Sequence, residues 1–306
     1  MKTNNKIDFH HLLFLSCGLL TVIVITFFVG FVFYTAYPIF AQEGFSFLTG
    51  DRWSYTDDVF GIRIFILGSL ILTGTTLLMA VPLSLFSAIC ISEFVSEKVE
   101  FVFKSLIELL VGIPSVVYGI FGLFVLENIF QYQIEPFISS TLGFIPIFRD
   151  VTPSFGLGLL LASVILTIMI LPTVTAISID AMKAVPYDYR EGSYAVGATQ
   201  WETIRHVVLP AASSGVVSAV ILGMMRAIGE TMAIVMVFGN AVNVPVSLMD
   251  TGFAMTSKIL NDIGFYVAQD VPRSALFGIA AVLFAIEIVL VAAARYVGKR
   301  GMVIQS

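Results

Sequence analysis

The chain has 306 residues, of which 58% are apolar and only 12% charged. Soluble domains run at roughly 45–50% and 25%, so the composition excludes a soluble globular protein and predicts an all-α, polytopic membrane protein. The formal net charge of −5, with no basic cluster, excludes a nucleic-acid-binding surface.

Residues 1–11 form a short polar tail. No charge follows until residue 43, a run too long for a signal-peptide core of about 7–15 residues. It predicts a retained first span over 12–34, with Pro38 marking its exit. Residues 41–63 form a polar loop carrying Glu43, Asp51, Arg52, Asp57 and Asp58. The uncharged run 64–92 is the second span; Pro82 within it is tolerable where neighbouring helices satisfy the freed carbonyl. A charged loop, 93–104, leads to a third span at 105–126. There Gly112 and Pro114 predict a kink or local unwinding. A loop at 127–150 contains Pro136 and Pro146, and 151–179 is the fourth span. A polar segment, 181–212, precedes a fifth span at 214–238. A longer loop, 239–274, leads to a sixth span at 275–294. Cys17 and Cys90 fall inside apolar runs, and His10, His11 and His206 lack metal-ligand spacing. The organisation read from this is a tail and first span, 1–42, followed by a transport core, 43–306.

Six spans put both termini on one side. Ten Lys and Arg residues lie on that side and five on the other. The positive-inside bias therefore predicts cytoplasmic termini and a cytoplasmic 181–212 segment. The remaining basic residue, Arg226, lies inside the fifth span.

A charge at the bilayer centre costs from roughly 2.5 to over 10 kcal/mol, and such residues usually line a cavity or pathway. Glu230 follows four residues later and would share a helix face with Arg226. Asn240 would fall about 40° away on the same side. Gly223 and Gly229 flank that face and permit close approach of a ligand or helix. A guanidinium is a planar fork of donors suited to phosphate or sulfate. A carboxylate beside it would hold the Arg in place, weaken retention of the anion and accept the proton of hydrogen phosphate. The alternative is a structural Arg226–Glu230 ion pair. Glu287, the other mid-span charge, either pairs with Arg226 or lines the same path; the residues alone do not choose.

The polar segment carries Glu191, the small pair Gly192 and Ser193, Gly197 six positions after the Glu, then Trp201 and a closing Leu209-Pro210. It resembles the EAA loop of ABC importer permeases, with Gly192 and Ser193 in place of two alanines and Val207 for the usual Ile. Physically it can form two short helices hinged near Gly197. Segments 112–119, 185–203 and 226–233, with 68–93 before them, resemble the phosphate-specific ABC importer permeases across residues 60–240. The long first exterior loop and the run from Gly61 favour the PstC-type subunit over its PstA-type sister.

The resemblance implies a type I (MetI-like) ABC permease fold with six transmembrane helices. It implies the permease subunit of an ATP-driven inorganic phosphate importer in the cell membrane. A PstA-type sister would complete the channel, two cytoplasmic ATPase copies would drive it, and an extracytoplasmic binding protein would deliver phosphate. Arg226 and Glu230 would meet the anion; Glu191, Gly197 and Trp201 would couple to the ATPase. The chain has no Gly-x4-Gly-Lys-Ser/Thr loop, so ATP hydrolysis is expected on a partner. No cofactor, metal or catalytic constellation is expected. Two alternatives stay open. One is a permease for sulfate or molybdate, which Arg226 would serve equally. The other is an ion-coupled secondary transporter, which predicts inverted repeats with paired broken helices; only the third span shows such a break.

Overall fold

A computed structural model describes residues 9–149 and 156–303. Residues 1–8 of the expected 1–11 tail and the expected start of the fourth span, 151–155, lie outside the described residues. Among the described residues, six helices are long and apolar enough to cross a membrane. They are Leu12–Glu43, Arg63–Phe94, Ser115–Leu142, Leu159–Lys183, Gln200–Gly229 and Asp270–Tyr296, spans 1 to 6.

Several boundaries differ from those read in the sequence. Span 1 continues through Pro38 to Glu43. The predicted third span, 105–126, is divided between two helices. One, Glu97–Val111, stops at Gly112, and span 3 restarts at Ser115. Gly112 closes the first helix and Pro114 stands at the start of the second, where its missing N–H costs nothing. Span 3 then absorbs most of the predicted 127–150 loop, including a buried Glu135. The helix of span 4 begins at Leu159, after the non-helical residues 156–158. Span 5 ends at Gly229, not 238, and Met232–Val237 is a separate short helix. The predicted loop 239–274 contains the helix Met255–Tyr266.

The chain divides into two compact units. The first comprises residues 1–62 and 262–282. In it, Ile39 N–H donates to Ser274 Oγ at 2.9 Å. Gly278 leaves room for the Phe47 ring, which a Cβ there would meet at 2.7 Å. A small antiparallel hairpin pairs Trp53 with Phe60. Tyr55 stacks on Tyr266 at 3.5 Å and donates its hydroxyl to Asp262. Burial, followed by that hydrogen bond, pushes the Tyr55 phenol above its ordinary pKa.

The second unit comprises residues 63–261 and 283–306. Span 4 is apolar on every side and is therefore its core. Leu161, Ile165, Leu166 and Ile170 are fully buried, and spans 2 and 5 pack against them. A series of hydroxyls joins spans 2 and 4. Thr75 Oγ1 and Ser163 Oγ lie 2.7 Å apart, while Thr167 and Thr175 face the carbonyls of Thr76 and Ser84, each at 3.4 Å. Small polar residues of this kind let membrane helices approach closely while keeping their hydroxyls satisfied. Gly215 and Gly223 do the same for span 5, against Ala181 and Val174.

The segment after the short helix folds back over the start of span 4. Gly158, Leu159 and Leu160 N–H groups donate to the carbonyls of Val237, Asp250 and Leu248 at 3.1, 2.9 and 2.7 Å. These bonds satisfy donors that a helix N-terminus leaves free. Gly68 of span 2 lies directly against the Phe253 backbone, and Ser69 Oγ accepts the Met255 N–H at 2.9 Å. Lys258 is buried over the Phe65 and Phe253 rings, 5.4 and 5.2 Å from their centroids.

Candidate anion path and coupling segment

Arg226 lies in the last turn of span 5, where free carbonyl ends favour a cation. The helix then breaks. Glu230 is extended at φ −67°, ψ 134°, Thr231 takes φ −119°, ψ −56°, and helix resumes at Met232. Glu230 therefore does not continue the helical face of Arg226, which corrects the predicted pairing by helix periodicity. Gly229 is a poor helix former, and Glu230 is drawn into the next element. Its Oε1 accepts the Ala233 N–H at 3.2 Å, and its carbonyl accepts the Thr256 hydroxyl at 2.7 Å. Asn240 also leaves the predicted face. It sits beyond the short helix with φ +51°, and its Nδ2 donates to the Val235 carbonyl at 2.6 Å.

The Arg226 guanidinium is half-buried and donates from Nη1 to Thr173 Oγ1 of span 4 at 3.2 Å. Among the described residues it forms no ion pair with Glu230 or Glu287. Glu287 instead stands beside Gly229, where a Cβ would lie 3.7 Å from its Oε1. A guanidinium carries five N–H donors, and Thr173 takes one of them. The rest of the fork is chemically suited to a tetrahedral oxyanion. Thr173, next to Pro172 in an uncharged run, is the site partner that sequence reasoning missed.

The 181–212 segment has the two short helices expected. Tyr187–Ala195 is the first, and Gln200–Thr203 is the second. The turn between them places Gly197 at φ +88°, a left-handed conformation glycine adopts without a Cβ penalty. Thr199 caps the second helix in a reciprocal box with Glu202. A wide i→i+5 turn, Ile204–Val208, carries the chain into the rest of span 5. Glu191 and Gly197 are exposed, and Trp201 is half-exposed. Arg190, not singled out by the sequence reading, is buried beneath them.

Six apolar spans, a broken fifth helix with a basic residue at its end, and an exposed two-helix connector define a multi-pass membrane transport component. Residues 80–301 match the family described as the binding-protein-dependent transport system inner membrane component. The chain is 37% identical, over 84% of its length and 80% of the relative's, to the phosphate transport system permease protein PstC of Pasteurella multocida. It is 38% identical to PstC of Mesorhizobium japonicum, over 84% of this chain and 79% of that one. With the probable ABC transporter permease protein YqgH of Bacillus subtilis the identity is 37%, over 93% and 88%. A chain of a bacterial alginate ABC transporter, crystallised with its alginate-bound periplasmic protein, shares the fold at TM-score 0.62 and 18% identity, covering 96% of both chains. The protein belongs to the binding-protein-dependent transport inner-membrane family, among its PstC-type permeases.

Proposed function

We propose that this chain is the permease subunit of an ATP-driven importer of inorganic phosphate. It forms half of the translocation path, and residues 181–212 couple it to a separate ATPase. The observation that carries this is the Arg226 guanidinium near a helix break, held among the described residues by one hydroxyl and by no carboxylate. The PstC relatives, named for phosphate transport, support that substrate. Glu230 uses one oxygen to brace the short helix; its second oxygen is the acceptor for the proton of hydrogen phosphate.

In this reading a PstA-type sister completes the channel, two cytoplasmic ATPase copies hydrolyse ATP, and an extracytoplasmic protein delivers phosphate. No cofactor is needed in this chain. Both termini are cytoplasmic in this reading, which the Lys and Arg distribution supports. A tail and first span, 1–42, then precede the transport core, 43–306, a functional division that differs from the two packing units described above. Nucleotide-driven motion of Glu191, Gly197 and Trp201 re-aims the helices around Arg226 to one side of the membrane at a time.

The test is uptake of labelled phosphate by the reconstituted complex. Excess sulfate or molybdate should compete poorly; equal competition points to a general oxyanion permease. Uptake that collapses with an uncoupler while ATP is maintained points to ion-coupled transport instead.

Two variants probe the coupling segment. Glu191→Lys reverses a surface charge, and unfavourable charge juxtaposition at an interface costs several kcal/mol. Gly197→Val forces a branched residue into the left-handed region, at a cost of about 1–2 kcal/mol, although no atom blocks the new side chain. Both should insert normally and capture less ATPase in co-purification. Undiminished capture and transport would remove the docking role.

A further inference from the structure

Arg190 precedes Glu191 but turns inward. Its Nη2 donates to Glu93 Oε1 at 2.7 Å, and its Nε to Glu93 Oε2 at 3.3 Å. Nη1 donates to the Val185 carbonyl at 2.9 Å, and Nη2 also reaches the Met182 carbonyl at 3.0 Å. The two charged side chains are 11% and 8% exposed. On the other side of the Gly197 turn, Gln200 Nε2 donates to the Glu93 backbone carbonyl at 2.7 Å. Ser193 and Thr203 hydroxyls, 2.9 Å apart, tie the two short helices together. Both arms of the coupling segment thus converge on Glu93.

Glu93 lies in the wide turn Cys90–Phe94 that ends span 2, and Met182 and Val185 bracket the end of span 4. Wide i→i+5 turns are rare and concentrate at functional sites. Among the described residues this chain has four: two lie within span 3, one holds Glu93, and one stands where the 181–212 segment enters span 5. A buried ion pair is weak evidence for stability, because apolar replacements are often as stable. A bidentate Arg–carboxylate pair does impose direction. A nine-residue helix such as Tyr187–Ala195 is marginal alone and transmits force only if something clamps it.

We propose that Arg190 is the mechanical joint of the permease. It clamps the coupling segment to the cytoplasmic ends of spans 2 and 4, so that displacement at Glu191 and Trp201 turns those ends as one body. This rests on the function proposed above. Arg190 is a positioning residue and touches neither nucleotide nor anion. Without the clamp, the first short helix pivots at Pro186 and the spans lag behind the motor.

The test measures phosphate uptake and ATP hydrolysis in one preparation of the reconstituted complex, with ATPase capture scored by co-purification. Arg190→Lys keeps the charge but loses the fork that serves a carboxylate and two carbonyls. Glu93→Gln keeps the shape and removes the charge. Each should lower phosphate taken up per ATP roughly tenfold, within the usual 5–150-fold range of coupling between sites, while ATPase capture persists. The double variant should be no worse than the weaker single one, because both break the same bond. Unchanged uptake per ATP in both single variants overturns the joint. So does a parallel loss of uptake, hydrolysis and capture, which marks Arg190 as needed only for folding. A wild-type complex that takes up phosphate without ATP hydrolysis overturns the proposed function itself, and the joint with it.

Discussion

Arg226→Ala removes phosphate uptake while the protein still inserts and assembles. Hydrogen bonds to charged groups contribute about 1.5–3 kcal/mol each, and a guanidinium offers an oxyanion two in parallel. Losing both lowers uptake by roughly two orders of magnitude or more. Assembly survives because, among the described residues, the side chain's hydrogen-bond partner is one hydroxyl, that of Thr173. That hydroxyl can bond back to its own helix. Arg226→Lys restores charge but not the planar fork, and should recover only a small part of transport. The measurement is labelled phosphate uptake at matched permease and ATPase content. Normal uptake by the alanine variant would be incompatible with an anion contact at this residue.

Gly68→Leu produces the largest loss of stability. A Cβ at Gly68 meets the Phe253 carbonyl oxygen, a backbone atom that cannot rotate aside as a side chain does. Overpacking of this kind costs roughly 1–3 kcal/mol, and neighbouring bonds share the damage. Ser69 holds Met255, and Thr256 holds the Glu230 carbonyl at the helix break. Pushing Phe253 away disturbs the element that fixes Glu230, so uptake should fall with the melting temperature of the purified complex. Gly74→Ala is the control: no atom lies within 4 Å of the added carbon, and neither quantity should change. Equal behaviour of the two variants would show that span 2 does not need the close approach at Gly68.

The number and type of spans were legible because lipid leaves backbone groups no partner outside a helix, so long uncharged runs have one solution. The two short helices of the 181–212 segment were legible because the hinge at Gly197 is a local signal; the Thr199–Glu202 box is another local signal, and it went unread. Helix ends were harder. Gly229, Glu230 and Thr231 interrupt span 5 inside an otherwise continuous apolar run, so polarity alone did not reveal the break. Conversely, Pro136 and Pro146 made the second half of span 3 look like a loop. The partners of the two decisive arginines were beyond reach of any local pattern. Thr173 is 53 residues from Arg226, and Glu93 is 97 residues from Arg190. Such pairs are created by tertiary packing, and periodicity within one helix carries no record of them.

The hydroxyl series between spans 2 and 4 has a consequence for how the path opens. Thr75 meets Ser163, and the contacts at Thr167 and Thr175 repeat along the same seam. Two rods riveted at three heights slide past each other only by breaking every rivet together. The transporter therefore parts along some other seam, and a covalent staple across this one would leave its cycle running.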